Sequence, residues 1–428
     1  MKTRIILFAM VLVSNIFSQS YLDVIRPFSG MSGVSGAESG VGPATTAQSN
    51  AMLGNPALLS YSNQSFLAAD MSLDQVSGIS VFNTNTSEPS QEHGMRLNSL
   101  SYIYPVHVYR GAWVWGYSLQ QVNSFNSIQE FSDTDTDSGD LFDYTHRHRS
   151  SGSLYALTAA TSFLATMHTS VGFAVSYLTG NNTFDKIYTE SDSEDNFTYS
   201  KYQDSLHFLP EYRGFSARVG VSSELTESVR LGAAIELPSR ITVSESSSQN
   251  QTEWNDDGTR TVYMNEYSPA LKYAVWGPWR LGIGVGFLAD PLEVSVNYRF
   301  HSYSTSFMSS NLIDSFGADL DAVIDREIDQ SIQDVHEFSA SVLWSLAPMD
   351  LSFSASVMND PLNYQLGNSL RLDTGVSYQL IFGLGFNLAF RSEQWQSDLN
   401  HLLVSGAERN VEVQNQFSQI QFGLKYIL

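Results

Sequence analysis

The sequence predicts an all-β chain: a transmembrane antiparallel β-barrel of about 14 strands, with an N-terminal plug (hatch) segment inside the barrel. Two observations lead to it. Short stretches of alternating apolar and polar residues recur from about Phe66 to the last residue. The connections between them alternate between very short and long, as in a barrel with tight turns on its insertion side and long loops on the far side.

The first element is a secretory signal. Lys2 and Arg4 give the positive start, Ile5 to Val13 an apolar run, and Ser18-Gln19-Ser20 a cleavage point, so the mature chain begins between Gln19 and Tyr21. The apolar run is far below the roughly 20 residues that cross a bilayer as a helix, and no later stretch reaches that length. Strands must therefore do the crossing. The chain divides into a signal peptide over 1–20, a plug over 21–60 and a barrel over 61–428.

Composition removes several function classes. There is no cysteine, so no disulfide framework or thiol chemistry. A net charge of −22 leaves no basic face for nucleic acid. Of the 44 acidic residues, 25 lie in 127–150, 181–210, 244–268 and 304–337, which are four of the predicted loops. They keep those loops solvated and mutually repelling. A sharper reading has divalent cations bridging them to anionic outer-membrane lipid and lipopolysaccharide.

The strands follow in order. Trp113, Trp115, Tyr117 and Leu119 alternate with Val114, Gly116, Ser118 and Gln120. The same pattern runs through Val229–Leu237, Leu292–His301, Leu351–Met358 and Leu384–Arg391. One face is apolar and the other small, polar or charged, as lipid and lumen demand. Tight turns are expected at 109–110, 167–168, 226–227, 290–291, 348–349 and 380–381. Long connections are expected near 83–97, 127–150, 181–210, 244–268, 304–337, 359–368 and 393–414. Aromatic residues such as Trp113, Trp279, Trp344 and Tyr426 sit near strand ends, where a membrane interface favours them.

Residues 27–60 break the pattern. Gly30, Gly33, Gly36, Gly40 and Gly42 alternate with small residues, which suits backbone packed closely inside a barrel. Asn55-Pro56-Ala57-Leu58-Leu59 ends this stretch, directly before the first strand. Pro56 holds Asn55 away from helix, leaving its side chain to tie the plug to the wall. Here the chain resembles the FadL-type outer-membrane transporters, whose plug carries an Asn-Pro-Ala motif at this point; Asn55, Pro56 and Ala57 are the matching positions. Pro278-Trp279-Arg280 and Asn297-Tyr298-Arg299-Phe300 look like a divergent branch of that family.

The resemblance implies passive uptake of hydrophobic compounds, such as long-chain fatty acids or aromatic hydrocarbons, across the bacterial outer membrane. It also implies sideways exit through the wall, for which Pro105 and Gly116 are candidate interruptions. The alternative is a structural or secretion-associated barrel that docks protein partners. No enzyme constellation, cofactor or metal site is expected. Asp133, Asp135 and Asp137 lack the glycine and glutamate of a calcium loop. His146 and His148, two apart on a strand, point the same way; they could hold a metal or face the lumen. Leu312, Phe316, Leu320, Ile324, Ile328 and Ile332 recur every four residues, the stripe of an amphipathic helix. In the resembling family such loop helices form a capture site for greasy substrates.

Overall fold

The computed structural model describes residues 49–82, 85–86, 90–137, 140–193, 198–310, 325, 332–359, 368–398 and 411–428. The signal peptide, plug residues 21–48 and the stripe from Leu312 to Ile328 lie outside them.

Alternation along each strand gives every residue a lipid or lumen side, and antiparallel pairing carries the sheet round until it meets itself. Fourteen staves make the wall. β1 is Phe66–Phe82, β2 Ser90–Val106, β3 Trp113–Ser124, β4 Asp140–Leu164, β5 Thr169–Asp192 and β6 Tyr199–Thr226. Three staves are broken: β7 is Val229–Glu236 then Arg240–Asn255, β8 is Arg260–Trp276 then Trp279–Ala289, and β9 is Leu292–Ser302 then Phe307–Ser309. β10 is Val335–Leu346, β11 Met349–Asn359, β12 Asn368–Gln379, β13 Leu384–Asp398 and β14 Val411–Ile427. β1 pairs with β14 from Phe66↔Ile427 to Phe82↔Val411, which closes the barrel.

The outward positions form an apolar belt. On β13 they are Leu384, Phe386, Leu388 and Phe390; on β14, Ile420, Phe422, Leu424 and Tyr426. Four alternate positions span about 20 Å along a strand, close to the hydrophobic band of a membrane barrel. Phe353 is 52% and Phe215 63% exposed. Such a continuous girdle of bare aromatic and aliphatic side chains is stable only against lipid. The chain is a membrane-spanning barrel. Inward positions are buried and polar, as with Ser295, Ser341, Ser352 and Ser354.

Each of the six expected tight turns overlaps a short connection, at 107–112, 165–168, 227–228, 290–291, 347–348 and 380–383. The long connections differ. Much of 83–97, 127–150, 181–210 and 244–268 is strand rather than loop, and Ser127–Asp137 forms an extension of β3 paired with β4. The physical reason is solvation. Above the membrane the outer face of a strand meets water rather than lipid, so apolar alternation weakens while the hydrogen-bond ladder continues. Asp133, Asp135 and Asp137 therefore sit along extended backbone, not in a cation loop.

Inside, charge is held in pairs. Glu236 lies between Arg218 and Arg280. Glu337 meets Arg299 at 3.3 Å and Arg371 at 3.0 Å, and Asp373 meets Arg391 at 2.6 Å.

Candidate functional site

Of the segment expected to form the plug, Ser49–Tyr61 is described, and it packs against the inside of the wall ahead of β1. Pro56–Tyr61 is a short 3-10 helix with Pro56 in its first turn and Asn55 as its extended N-cap. The Asn55 Oδ1 accepts the Ala57 N–H at 3.1 Å, while its Nδ2 donates to the Val221 carbonyl of β6 at 3.0 Å. Ser162 Oγ of β4 donates to the Ala57 carbonyl at 2.8 Å. The Arg230 guanidinium lies 3.9 Å over the Tyr61 ring. Two wall glycines make this approach feasible: a Cβ at Gly220 would overlap the Asn55 amide, and one at Gly172 the Pro56–Ala57 peptide. Met52, Leu58 and Leu59 pack against Phe66, Ile103 and Val114.

Above the plug the inner wall turns apolar. Phe125, Leu154, Leu178, Tyr212, Ile241 and Val243 belong to one buried cluster with Tyr273, Val275, Tyr303, Met308, Ile332 and Val335, and Leu53 of the plug packs against it. The broken staves explain half of it. Glu236 and Ile241 are five residues apart yet both buried inward, as are Tyr303 and Met308, and the buried Val275 is five from Arg280, which turns inward to Glu236. An odd spacing on one face means that each break reverses the alternation. Pro238 and Pro278 supply no ladder N–H at those breaks, while the Gly277 N–H bridges to the Ser239 carbonyl at 2.8 Å.

Beyond the lining, outside the membrane, His146 and His148 both turn inward and are buried. His146 stacks on Phe131 with centroids 4.6 Å apart. Burial, with the nearby Lys186 ammonium, holds the His146 imidazole down at about 3 and His148 well below its usual range. Lys186 is itself pushed down to about 8 by burial, with Asp204 pulling the other way. Among the described residues no three metal-binding side chains converge, here or elsewhere.

Among the described residues the ladder between β2 and β3 stops partway up the wall, leaving a seam. β2 and β3 pair only from Ser99↔Gln120 to Val106↔Trp113. Above that, β2 keeps its pairing with β1, and β3, bulged between Gln121 and Asn123, keeps its pairing with β4. Pro105 and Gly116 do not interrupt the wall: Pro105 faces Val114, and Gly116 pairs with Ile103 and Ala160. Gly116 is small because the Met52 side chain fills the space of its Cβ. Sequence reading missed the seam, the lining and the docking glycines. The prolines at 238 and 278 were the available signal for the lining.

Comparison with known proteins bears on the fold. No family model and no curated protein matches the chain. Solved structures do. The P. putida toluene transporter TodX matches at 12% identity with a TM-score of 0.61, over 94% of this chain and 99% of that one. The Ralstonia pickettii toluene transporter TbuX matches at 16% and 0.55, over 93% and 99%. A Pseudomonas aeruginosa FadL homologue matches at 9% and 0.60, over 96% and 97%. The chain has the fold of these outer-membrane barrels from end to end.

Proposed function

We propose that the barrel is a passive outer-membrane channel for hydrophobic compounds such as long-chain fatty acids or aromatic hydrocarbons. The observation that supports it is the buried apolar cluster inside the barrel, against which Leu53 of the segment before β1 packs. Water-filled pores line their lumens with polar groups. An apolar interior above the segment before β1 suits an apolar passenger. The fold shared with toluene transporters and a FadL homologue supports the same reading.

The route starts outside the cell, where the stripe of Leu312, Phe316, Leu320, Ile324 and Ile328 would gather substrate, beside lipopolysaccharide. The passenger moves to the lining above Asn55, Pro56 and Ala57. The plug lies below it, so it leaves sideways at the seam, where Met95 and Leu97 face lipid.

Uptake of labelled fatty acid and of toluene, in a host lacking its own transporter, tests this. Val243 is fully buried in the lining, and Val243→Asp should cut uptake at least tenfold with the barrel still inserted. Uptake by the variant equal to the parent would remove the lining from the route.

Lys186 favours a passenger with an anionic head. Its charge is largely present at pH 7 and is lost as pH rises through about 8. Fatty-acid uptake should therefore fall severalfold between pH 7 and pH 9 while toluene uptake stays level, and Lys186→Met should flatten the fatty-acid profile.

A further inference from the structure

On the outer surface, where β6 to β9 leave the membrane, the strand register sets out one patch in rows. Phe215, Arg240, Trp276 and Phe307 are partners across the four strands. Phe215 is 63% exposed, Phe307 stacks on Trp276 with ring centroids 5.5 Å apart, and the Arg240 guanidinium lies 5.7 Å over the Trp276 ring. Such an aromatic row belongs at the upper edge of the apolar belt. The next row, farther from the membrane, is Arg213, Thr242, Ala274 and Ser309. Beyond it come Glu211, Ser244 and Lys272.

These rows make a shallow dish. Its floor is small, formed by Thr242, Ser244 and Ala274, two of which carry hydroxyls. Three exposed cations stand round it on three strands: Arg213 on β6, Arg240 on β7 and Lys272 on β8. As cross-strand, same-strand and diagonal neighbours of Thr242, they start within about 8 Å of it. Long basic side chains can therefore converge over the floor.

The balance of charge sets this patch apart. Two other arginines of the outer surface are answered by acids, Arg149 by Glu92 at 3.1 Å and Arg147 by Glu130 at 3.8 Å. In the dish, one carboxylate answers three cations. Glu211 lies 3.6 Å from Arg213, whose side chain is still 70% exposed. Among the described residues Arg240 and Lys272 pair with no carboxylate.

The position selects the occupant. It must offer anionic oxygens to the dish and apolar chain to the aromatic row beneath, as a phosphorylated membrane lipid does. Three cations are too few for nucleic acid, but they match the phosphates of one lipid head. We propose that Arg213, Arg240 and Lys272 bind the phosphates of lipid A, the membrane anchor of lipopolysaccharide, with its acyl chains lying down the belt past Phe215 and Phe307. The site stands whether or not the barrel carries hydrophobic compounds.

Native mass spectrometry of the barrel in detergent micelles, titrated with lipid A that carries both phosphates, tests it. The parent should retain one lipid A about a hundredfold more tightly than the triple variant Arg213→Gln, Arg240→Gln and Lys272→Gln. Lipid A stripped of phosphate should bind the parent no better than intact lipid A binds that variant. Arg147→Gln with Arg149→Gln also removes positive charge from the outer surface, and should bind like the parent. Equal retention by parent and triple variant, or of the two lipids, would overturn the site. So would equally tight binding of phosphatidylglycerol, which would reduce the patch to a general anionic preference. Lys272→Gln alone breaks no ion pair among the described residues, so it serves even where the triple variant does not fold. It should weaken retention about fivefold, and parent-like retention would again overturn the site.

Discussion

Replacing Gly172 with valine should unseat the plug and leave the barrel standing. The space where a Gly172 side chain would lie is taken by the carbonyl carbon and oxygen of Pro56 and the nitrogen of Ala57. Backbone cannot step aside by changing rotamer, so one element has to move. The wall cannot move, because Gly172 pairs with Ser162 on one side and Gly220 on the other. Overpacking of a close-packed contact costs about 1–3 kcal/mol when side chains can adjust, and here they cannot. The measurement is ion conductance in a planar bilayer, together with migration of the unheated barrel on a denaturing gel. Conductance should rise at least tenfold while the compact migration persists. Two milder variants calibrate it. Gly116→Ala meets only the side chains of Met52 and Leu59, and should raise conductance little. Asn55→Ala with Pro56→Ala removes the cap and the bond to Val221, a loss of about 1 kcal/mol for the cap, and should fall between. Parent-like conductance in Gly172→Val would show that the described plug does not close the lumen.

The pattern of what the sequence disclosed follows from which groups meet lipid. A strand in contact with lipid must alternate, so Leu384 to Phe390 or Leu292 to Phe300 declare both their strand and its faces. Strands outside the membrane carry no such obligation. β4 from Asp140 and β5 to Asp192 therefore read as polar loops though they are continuous strands. The lining was hidden for a third reason. Counted forward from Leu237, Ile241 and Val243 keep the beat of lipid-facing residues; only the break at Pro238 turns them inward. Side-chain bonds across a missing ladder, such as Arg96 to Ser153, involve residues 57 apart in sequence, and no local pattern marks them. Asn55 and Ala57, singled out in the sequence, are where the segment before β1 bonds to the wall. The glycines that receive it, at 172 and 220, lie on β5 and β6, where glycine in a strand signals close approach but not by what.

Stability of the wall should hinge on a few inward charges and be indifferent to outward ones. Asp373 is the sharpest case. Its carboxylate accepts from Arg391 at 2.6 Å and from Ser354 Oγ at 3.1 Å, and lies 3.6 Å from Arg371. Arg391 is fully buried. Asp373→Ala removes the carboxylate that all three address and takes from the buried Arg391 guanidinium its nearest carboxylate, a loss of about 3–5 kcal/mol in such settings. Arg147 and Glu130, about half exposed and 3.8 Å apart, make the contrast. Deleting that pair should cost less than about 1 kcal/mol. Urea titrations of the barrel in detergent micelles, followed by tryptophan fluorescence, will separate the two. The informative variant is the double one. If the cost of Asp373→Ala comes from stranding Arg391, then adding Arg391→Met should restore part of the lost stability, because an apolar side chain of similar length needs no partner. If instead the aspartate matters for itself, the second change will add to the first. Recovery would mean that the paired charges keep the inner wall tolerable to bury without being its main source of stability, which then resides in the closed ladder and the lipid-facing belt.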